Sequence, residues 1–296
     1  MLSVAVFVAM SSLIKAAGDL PLGQIVFFRS FFATFPILAF LAHKHELRTA
    51  FATKRPFNHF ARGFVGVCSM ALSFFALTHL PLPEAITLNY AQPLLVVVFS
   101  ALFLGETVRA YRWSAVAVGL VGVVIVSWPK LTLFGAPAQM DRGEMLGVLA
   151  AFGAAAVSAI AVLLVRSLVH TERTATIVLW FSLTASIVSL VTLPFGWAPL
   201  SAGQAGALVA AGFCGGVAQI CMTEAYRYAE VSTVAPFEYT SLILGIVVGY
   251  LVFSELPTVH MIVGGLIVVG AGIFIIWRER QLGLERARAR KVSVPQ

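Results

Sequence analysis

The sequence predicts an all-α integral membrane protein: ten transmembrane helices in two inverted five-helix repeats around a central cavity. Three observations carry that prediction. Only 11% of the 296 residues are charged, 59% are hydrophobic, and the mean hydropathy is +0.93. Soluble domains carry roughly 25% charged residues, and a globule of this length cannot enclose so much apolar surface. The apolar residues fall in ten continuous runs of about 20, the length a helix needs to cross a bilayer, rather than in the alternating pattern of a β-barrel. Residues 76–128 also align without a gap on residues 225–277, at an offset of 149. Ala76 falls on Ala225, Tyr90 on Tyr239, Glu106 on Glu255 and Trp128 on Trp277. Sparse identity with shared hydropathy and shared breaks marks a unit used twice.

The runs lie at about 1–18, 24–42, 58–77, 84–104, 110–128, 145–165, 175–194, 205–226, 233–253 and 258–277. The opening MLSVAVFVAM lacks a basic leader and a cleavage site, so it reads as a span and not as a signal peptide. Pro, Gly and charges punctuate the connections, as in GDLPLG, HLPLPE, LGETVRAYR and FSELPT. The expected organisation is a first repeat over 1–128, a linker over 129–144, a second repeat over 145–277 and a basic cytoplasmic tail over 278–296. Cys68, Cys214 and Cys221 lie in apolar runs without metal-ligand spacing and read as small packing residues.

Charge sets the orientation. The 43–62 loop holds Lys44, Arg48, Lys54, Arg55 and Arg62, and the tail from Arg278 to Lys291 is rich in Arg. With Arg109, Arg112, Arg166, Arg173 and Arg227, all of these fall on one side of ten spans. The other side has Lys130 and Arg142, with Lys15 near it. The positive-inside rule makes the basic side cytoplasmic, with both termini on it, in a bacterial inner membrane. The same rule accounts for the net charge of +7 without nucleic acid. Five spans per repeat is an odd number, so the second copy enters from the opposite face. Inverted repeats provide two near-equivalent packings, one open to each side.

Polar side chains within spans are costly and mark the candidate path. Asn89 and Gln92 share one face of the fourth span beside Tyr90. Glu238 and Ser241 hold the equivalent positions on the ninth beside Tyr239. Gln219, Met222, Thr223 and Tyr226 follow i, i+3, i+4, i+7 on the eighth. Ser69 and Ser73, with Phe74 and Leu77, come from the third, and Ser11 and Lys15 from the first. Each has a structural alternative, as interhelical glue or packing. Glu238, two residues after Pro236, reads either as a proton or cation site or as a helix-start acceptor. Glu84 is the expected ion-pair partner of Lys15 and Arg29, in a structural or gating role. Glu106 and Glu255 read as caps or staples of helix ends, and the pairs Gly212/Gly216 and Gly245/Gly249 as sites of close helix approach. Pro83 and Pro236 stand near the starts of the fourth and ninth spans. Pro93 lies inside the fourth, where it removes a backbone donor and should kink or loosen the helix; Leu242 is its counterpart. That asymmetry makes the fourth span a candidate mobile gate. No HExxH, GxSxG or P-loop pattern occurs, so neither an enzyme nor a cofactor or metal is expected.

The stretch LPLPEAITLNYAQPLLVVVFSALFLGETVRAYRW, followed by a Gly-rich last span, resembles the C-terminal half of an EamA domain of the drug/metabolite transporter superfamily. The second copy keeps Phe253-Ser254-Glu255 and its own Gly-rich span but replaces Pro93 by Leu242. Lys15 and Arg29 resemble the family's first half. The resemblance implies ten helices in inverted repeats and secondary transport of a small-molecule substrate through the lipid bilayer, with protons as a candidate coupling ion and a monomer sufficient to enclose the path. It also implies a substrate drawn from amino acids (export), with uptake of S-adenosylmethionine or riboflavin as the alternative. A non-transporting scaffold or a membrane enzyme is the alternative of another class.

Overall fold

The computed structural model describes residues 2–47, 50–53, 55–104, 110–128, 142–169, 171–228 and 240–292. Among them there is no strand. The helices in chain order are α1 (Leu2–Ala16), α2 (Leu22–His43), α3 (Pro56–His79), α4 (Leu82–Asn89), α5 (Ala91–Leu104), α6 (Ala110–Ser127), α7 (Arg142–Val169), α8 (Thr174–Leu190), α9 (Ala202–Tyr228), α10 (Thr240–Phe253) and α11 (Val259–Val292). Seven segments are long and apolar enough to cross a membrane, with α4 and α5 counted together. Three shorter apolar helices stand at Leu2–Ala16, Ala175–Leu190 and Thr240–Phe253. Each of the ten apolar runs thus contains a helix. The chain is an all-α, multi-span membrane protein.

Proline and glycine set the boundaries. Gly18 at φ +77° turns the chain out of α1, and Pro21 caps α2. Pro56 occupies the first turn of α3, where its fixed φ fits and its missing N–H costs nothing. Pro93 acts differently. It leaves the Asn89 carbonyl without its i+4 amide, and the helix is interrupted at Tyr90, between α4 and α5. The expected loosening of the fourth span is therefore a one-residue interruption at Tyr90, which keeps φ −67° and ψ −7°. Two expectations about loops change. Arg62 belongs to α3 rather than to the preceding loop, because the helix already starts at Pro56. The basic tail continues α11 as helix to Val292, as a Leu-, Ala-, Arg- and Glu-rich segment without Pro can do.

The main pairings are α3 with α7, α1 with α9, α2 with α8 and α9, α3 with α8, α5 with α7, and α6 with α11. Exchanging the first five spans for the last five maps most of these pairings onto one another, and α5–α7 onto the smaller α10–α1 contact. The α3–α7 packing becomes α9–α1, α2–α9 becomes α8–α3, and α6–α11 maps onto itself. A pseudo-two-fold arrangement of repeats produces this pattern. Small residues let the backbones meet. A Cβ on Gly264 would lie 2.5 Å from the Gly122 carbonyl oxygen where α11 crosses α6. Cβ atoms on Gly212 and Gly216 would lie 2.9 and 2.6 Å from the Phe28 and Ala33 carbonyls of α2. Gly245 and Gly249 face Ile86 and Pro83 of α4, so both glycine pairs do serve close approach.

Candidate functional site

The break in the fourth span carries the first link between the repeats. Tyr90 is buried, and its hydroxyl lies 2.5 Å from that of Ser241 on α10. By the 149-residue offset, Ser241 is the counterpart of Gln92, so the polar positions of the two copies meet. Asn89 is exposed at the end of α4, Pro93 is exposed, and Gln92 is partly buried.

The second link is a latch at the end of the bundle that holds Lys15. Its ammonium lies 2.6 Å from Glu255 Oε1 and donates to the Leu80 carbonyl at 2.5 Å. The second carboxylate oxygen of Glu255 accepts the Leu82 N–H at 2.8 Å and so caps α4. Glu255 is aimed by the end of α10. Ser254 takes a left-handed φ of +56°, and the Glu255 N–H returns to the Gly249 carbonyl six residues back, which turns the chain at the helix end. Gly249 also leaves room for the acid; a Cβ there would lie 3.3 Å from Oε2. The expected partner, Glu84, is corrected. Glu84 is buried in the first turn of α4, whereas Lys15 sits at the corner between α3 and α4, which faces the end of α10. The stapling role expected for Glu255 is what the geometry shows.

Other contacts join the repeats at the opposite end. Lys44 lies 3.6 Å from Glu224 of α9. Thr53 donates to Glu172 at 2.8 Å, and His59 Nε2 is 3.9 Å from the same carboxylate. His59 stacks on Trp180, with ring centroids 5.7 Å apart.

Arg29 does not pair with Glu84 either. It is buried at 5% exposure, with its guanidinium carbon 5.8 Å from the Phe181 ring centroid and Gly215 alongside. Arg62 lies over the same ring at 3.9 Å. Phe74 and Leu77, expected on the pathway, lie in the apolar core with Met10, Ile14, Leu82 and Phe181. Ser69 touches Ser158 and donates to the Ala154 carbonyl at 3.2 Å, which ties α3 to α7. Ser11, Ser73, Gln219 and Met222 are partly buried. Thr223 and Tyr226 belong to α9, but their side chains lie outside the described structure, as do residues Pro236, Glu238 and Tyr239 entirely. Glu106, Arg48, Lys54, Arg109 and Lys130 are also outside it.

Sequence reasoning missed Arg62, Phe181, Glu172 and Glu224. Arg62 was legible in principle: it stands inside an apolar run, four residues before Gly66. Gly105 aligns with Ser254, and a glycine just after a helix signals the left-handed turn that aims the following acid.

The sequence matches the EamA-like transporter family over residues 1–128 and 145–278. It is 30% identical over 273 residues to the pseudopaline exporter CntI of Pseudomonas aeruginosa, covering 90% of each chain. It is 26% identical to an S-adenosylmethionine uptake transporter of Rickettsia felis, over 87% of this chain and 84% of that one. A riboflavin transporter of Rhizobium johnstonii is 30% identical over 78% of this chain and 73% of its own. A solved crystal structure superposes with a TM-score of 0.66 at 19% identity, covering 95% of this chain and 97% of the other, and so shares the fold. With a family match across nearly its whole length, the chain belongs to the EamA-like transporter family.

Proposed function

We propose that the protein is a secondary transporter that moves a small organic metabolite across the bacterial inner membrane by alternating access, with both termini cytoplasmic. One observation supports this most. Polar contacts join the two repeats at both ends of the bundle, and a broken span meets its counterpart between them. The two ends differ in strength. The Lys15–Glu255 pair is short and mostly buried, whereas Lys44–Glu224 is longer and more exposed. Exposed pairs contribute about 0–1 kcal/mol, whereas separating the partners of a buried pair without new ones for each costs more. The end that holds Lys44 is thus the one that opens more easily, and by the charge distribution it faces the cytoplasm.

Amino-acid export finds no namesake among the three relatives above, whose names give pseudopaline, S-adenosylmethionine and riboflavin. S-adenosylmethionine therefore leads the substrate panel, followed by riboflavin and the amino acids. The test is flux of labelled solutes into proteoliposomes of the full chain, with and without an imposed pH gradient. Saturable flux of a panel member supports the reading, and flux equal to protein-free vesicles for every solute removes it. Proton coupling through Glu238 predicts that Glu238→Gln loses the pH-gradient response; an unaltered response would exclude that role.

A further inference from the structure

We propose that Arg29 and Arg62 form a binding site for an oxyanion: the carboxylate or phosphate group of the transported solute. The proposal deepens the transport reading and rests on it only for the identity of the anion's carrier. Both guanidiniums address Phe181, which stands midway along α8. Two side chains from the first repeat thus meet one from the second, at the kind of repeat interface where transporters place their sites. Neither arginine has a carboxylate within ion-pair distance among the described residues. Arg29 Nε and Arg62 Nε and Nη1 are buried without hydrogen-bond partners.

Such an arrangement is a poor way to pack helices. A buried charge without a partner is costly, and two like charges beside one ring repel. The cation–π contacts offset only part of that cost. The surrounding backbone nonetheless makes room for both groups. A Cβ on Gly215 would lie 3.1 Å from Arg29 Nε, and one on Gly66 would lie 3.3 Å from Arg62 Nη1. On α2, α3 and α8, Ser30 Oγ, His59 Nδ1 and Trp180 Nε1 are also buried without hydrogen-bond partners, while His59 Nε2 faces the Glu172 carboxylate at 3.9 Å. Arginine and tryptophan nitrogens can only donate, and serine and histidine can donate too. An excess of donors and positive charge fits a ligand made of acceptors. A carboxylate or phosphate supplies negative charge, several lone pairs and the planar or tripod geometry that guanidiniums match. Its binding would also remove the repulsion between the two arginines, which couples loading of the site to the packing of α2, α3 and α8.

The test is thermal unfolding of the purified full chain during titration with sodium acetate or sodium phosphate, against sodium chloride at matched ionic strength. The site predicts a rise in Tm beyond the chloride control. A response to acetate identifies a carboxylate site, and a response to phosphate alone a phosphate site. Arg29→Gln and Arg62→Gln should each weaken the apparent affinity at least tenfold, while Arg62→Lys retains part of it. Without anion, Arg29→Gln should unfold at or above the wild-type temperature, because a buried unpaired charge is gone. No oxyanion response in the wild type, or an equal response in both glutamine variants, would overturn the proposal. Absence of flux in proteoliposomes with the anion response intact would remove the transport reading and leave the site standing.

Discussion

Replacing Glu255 with Gln should release the end of the bundle that Lys15 holds shut. The carboxylate makes two contacts that a carboxamide reproduces only in part: the 2.6 Å ion pair with Lys15 and the 2.8 Å bond from the Leu82 N–H. The amide oxygen can keep the second. The first loses its charge, and Lys15 is left with the Leu80 carbonyl and the Phe253 ring, 5.5 Å from its ammonium. The two side chains are 15% and 17% exposed. The loss should therefore fall between the ~0.5 kcal/mol of an exposed pair and the ~3–5 kcal/mol of a buried one stripped of a partner. A value of about 2 kcal/mol corresponds to about a 30-fold shift of the open–closed equilibrium at this end. The assay is the rate at which a membrane-impermeant maleimide labels Ser73→Cys, with Cys68, Cys214 and Cys221 replaced by Ala. Glu255→Gln should raise that rate on the order of tenfold or more, and Lys15→Met should do the same. The double variant should add little, because the two residues act through one contact. Exchanging them, Lys15→Glu with Glu255→Lys, should restore only part of the closure, since the Leu82 N–H would then face an ammonium and the Leu80 carbonyl a carboxylate. Labelling rates unchanged in all single variants would refute the latch.

Three further outcomes follow from the same geometry. Pro93→Ala restores an amide to the Asn89 carbonyl and should join α4 and α5 into one helix, slowing transport several-fold with membrane insertion intact; initial rates and hydrogen exchange at residues 89–93 check it. Tyr90→Phe removes the hydroxyl that meets Ser241, a loss of about 1 kcal/mol, and should alter the transport rate about fivefold without lowering expression. Gly264→Val places a side chain against the Gly122 carbonyl and should cost ~3 kcal/mol of stability, read as a sharp fall in Tm, whereas Gly270→Ala, where nothing lies within 4 Å of a new Cβ, should leave Tm nearly unchanged.

The helices and their breaks were legible because lipid imposes a simple rule. A span must be apolar, about 20 residues long and hydrogen-bonded within itself. Pro93 could be read in part: a proline inside a span removes one backbone donor, although Pro36 does the same in α2 without interrupting the helix. The partner of Lys15 could not be read from spacing. Glu84 and Glu255 both stand at span ends expected on one face, and only the packing of α10 on α4 brings the more distant acid closer. Hydropathy also hid Arg62. At the edge of an apolar run an arginine looks like the charge of a loop, and its contact with Phe181 depends on the α3–α8 crossing. Phe74 and Leu77 show the converse ambiguity: they are buried in the apolar core, and aromatic and aliphatic residues beside serines in a span fit a pathway wall and a core equally well by sequence.

Alternating access between the repeats is tested most directly by paired distances at the two ends. Spin labels at Ala16 and Leu256 report the end held by Lys15 and Glu255, and labels at Phe57 and Thr171 report the end held by His59 and Glu172; all four positions are exposed. Alternating access predicts two distance populations at each end and opposite responses to a transported solute, with one pair lengthening as the other shortens. A single distance at both ends, unmoved by a solute that the protein demonstrably carries, would contradict it.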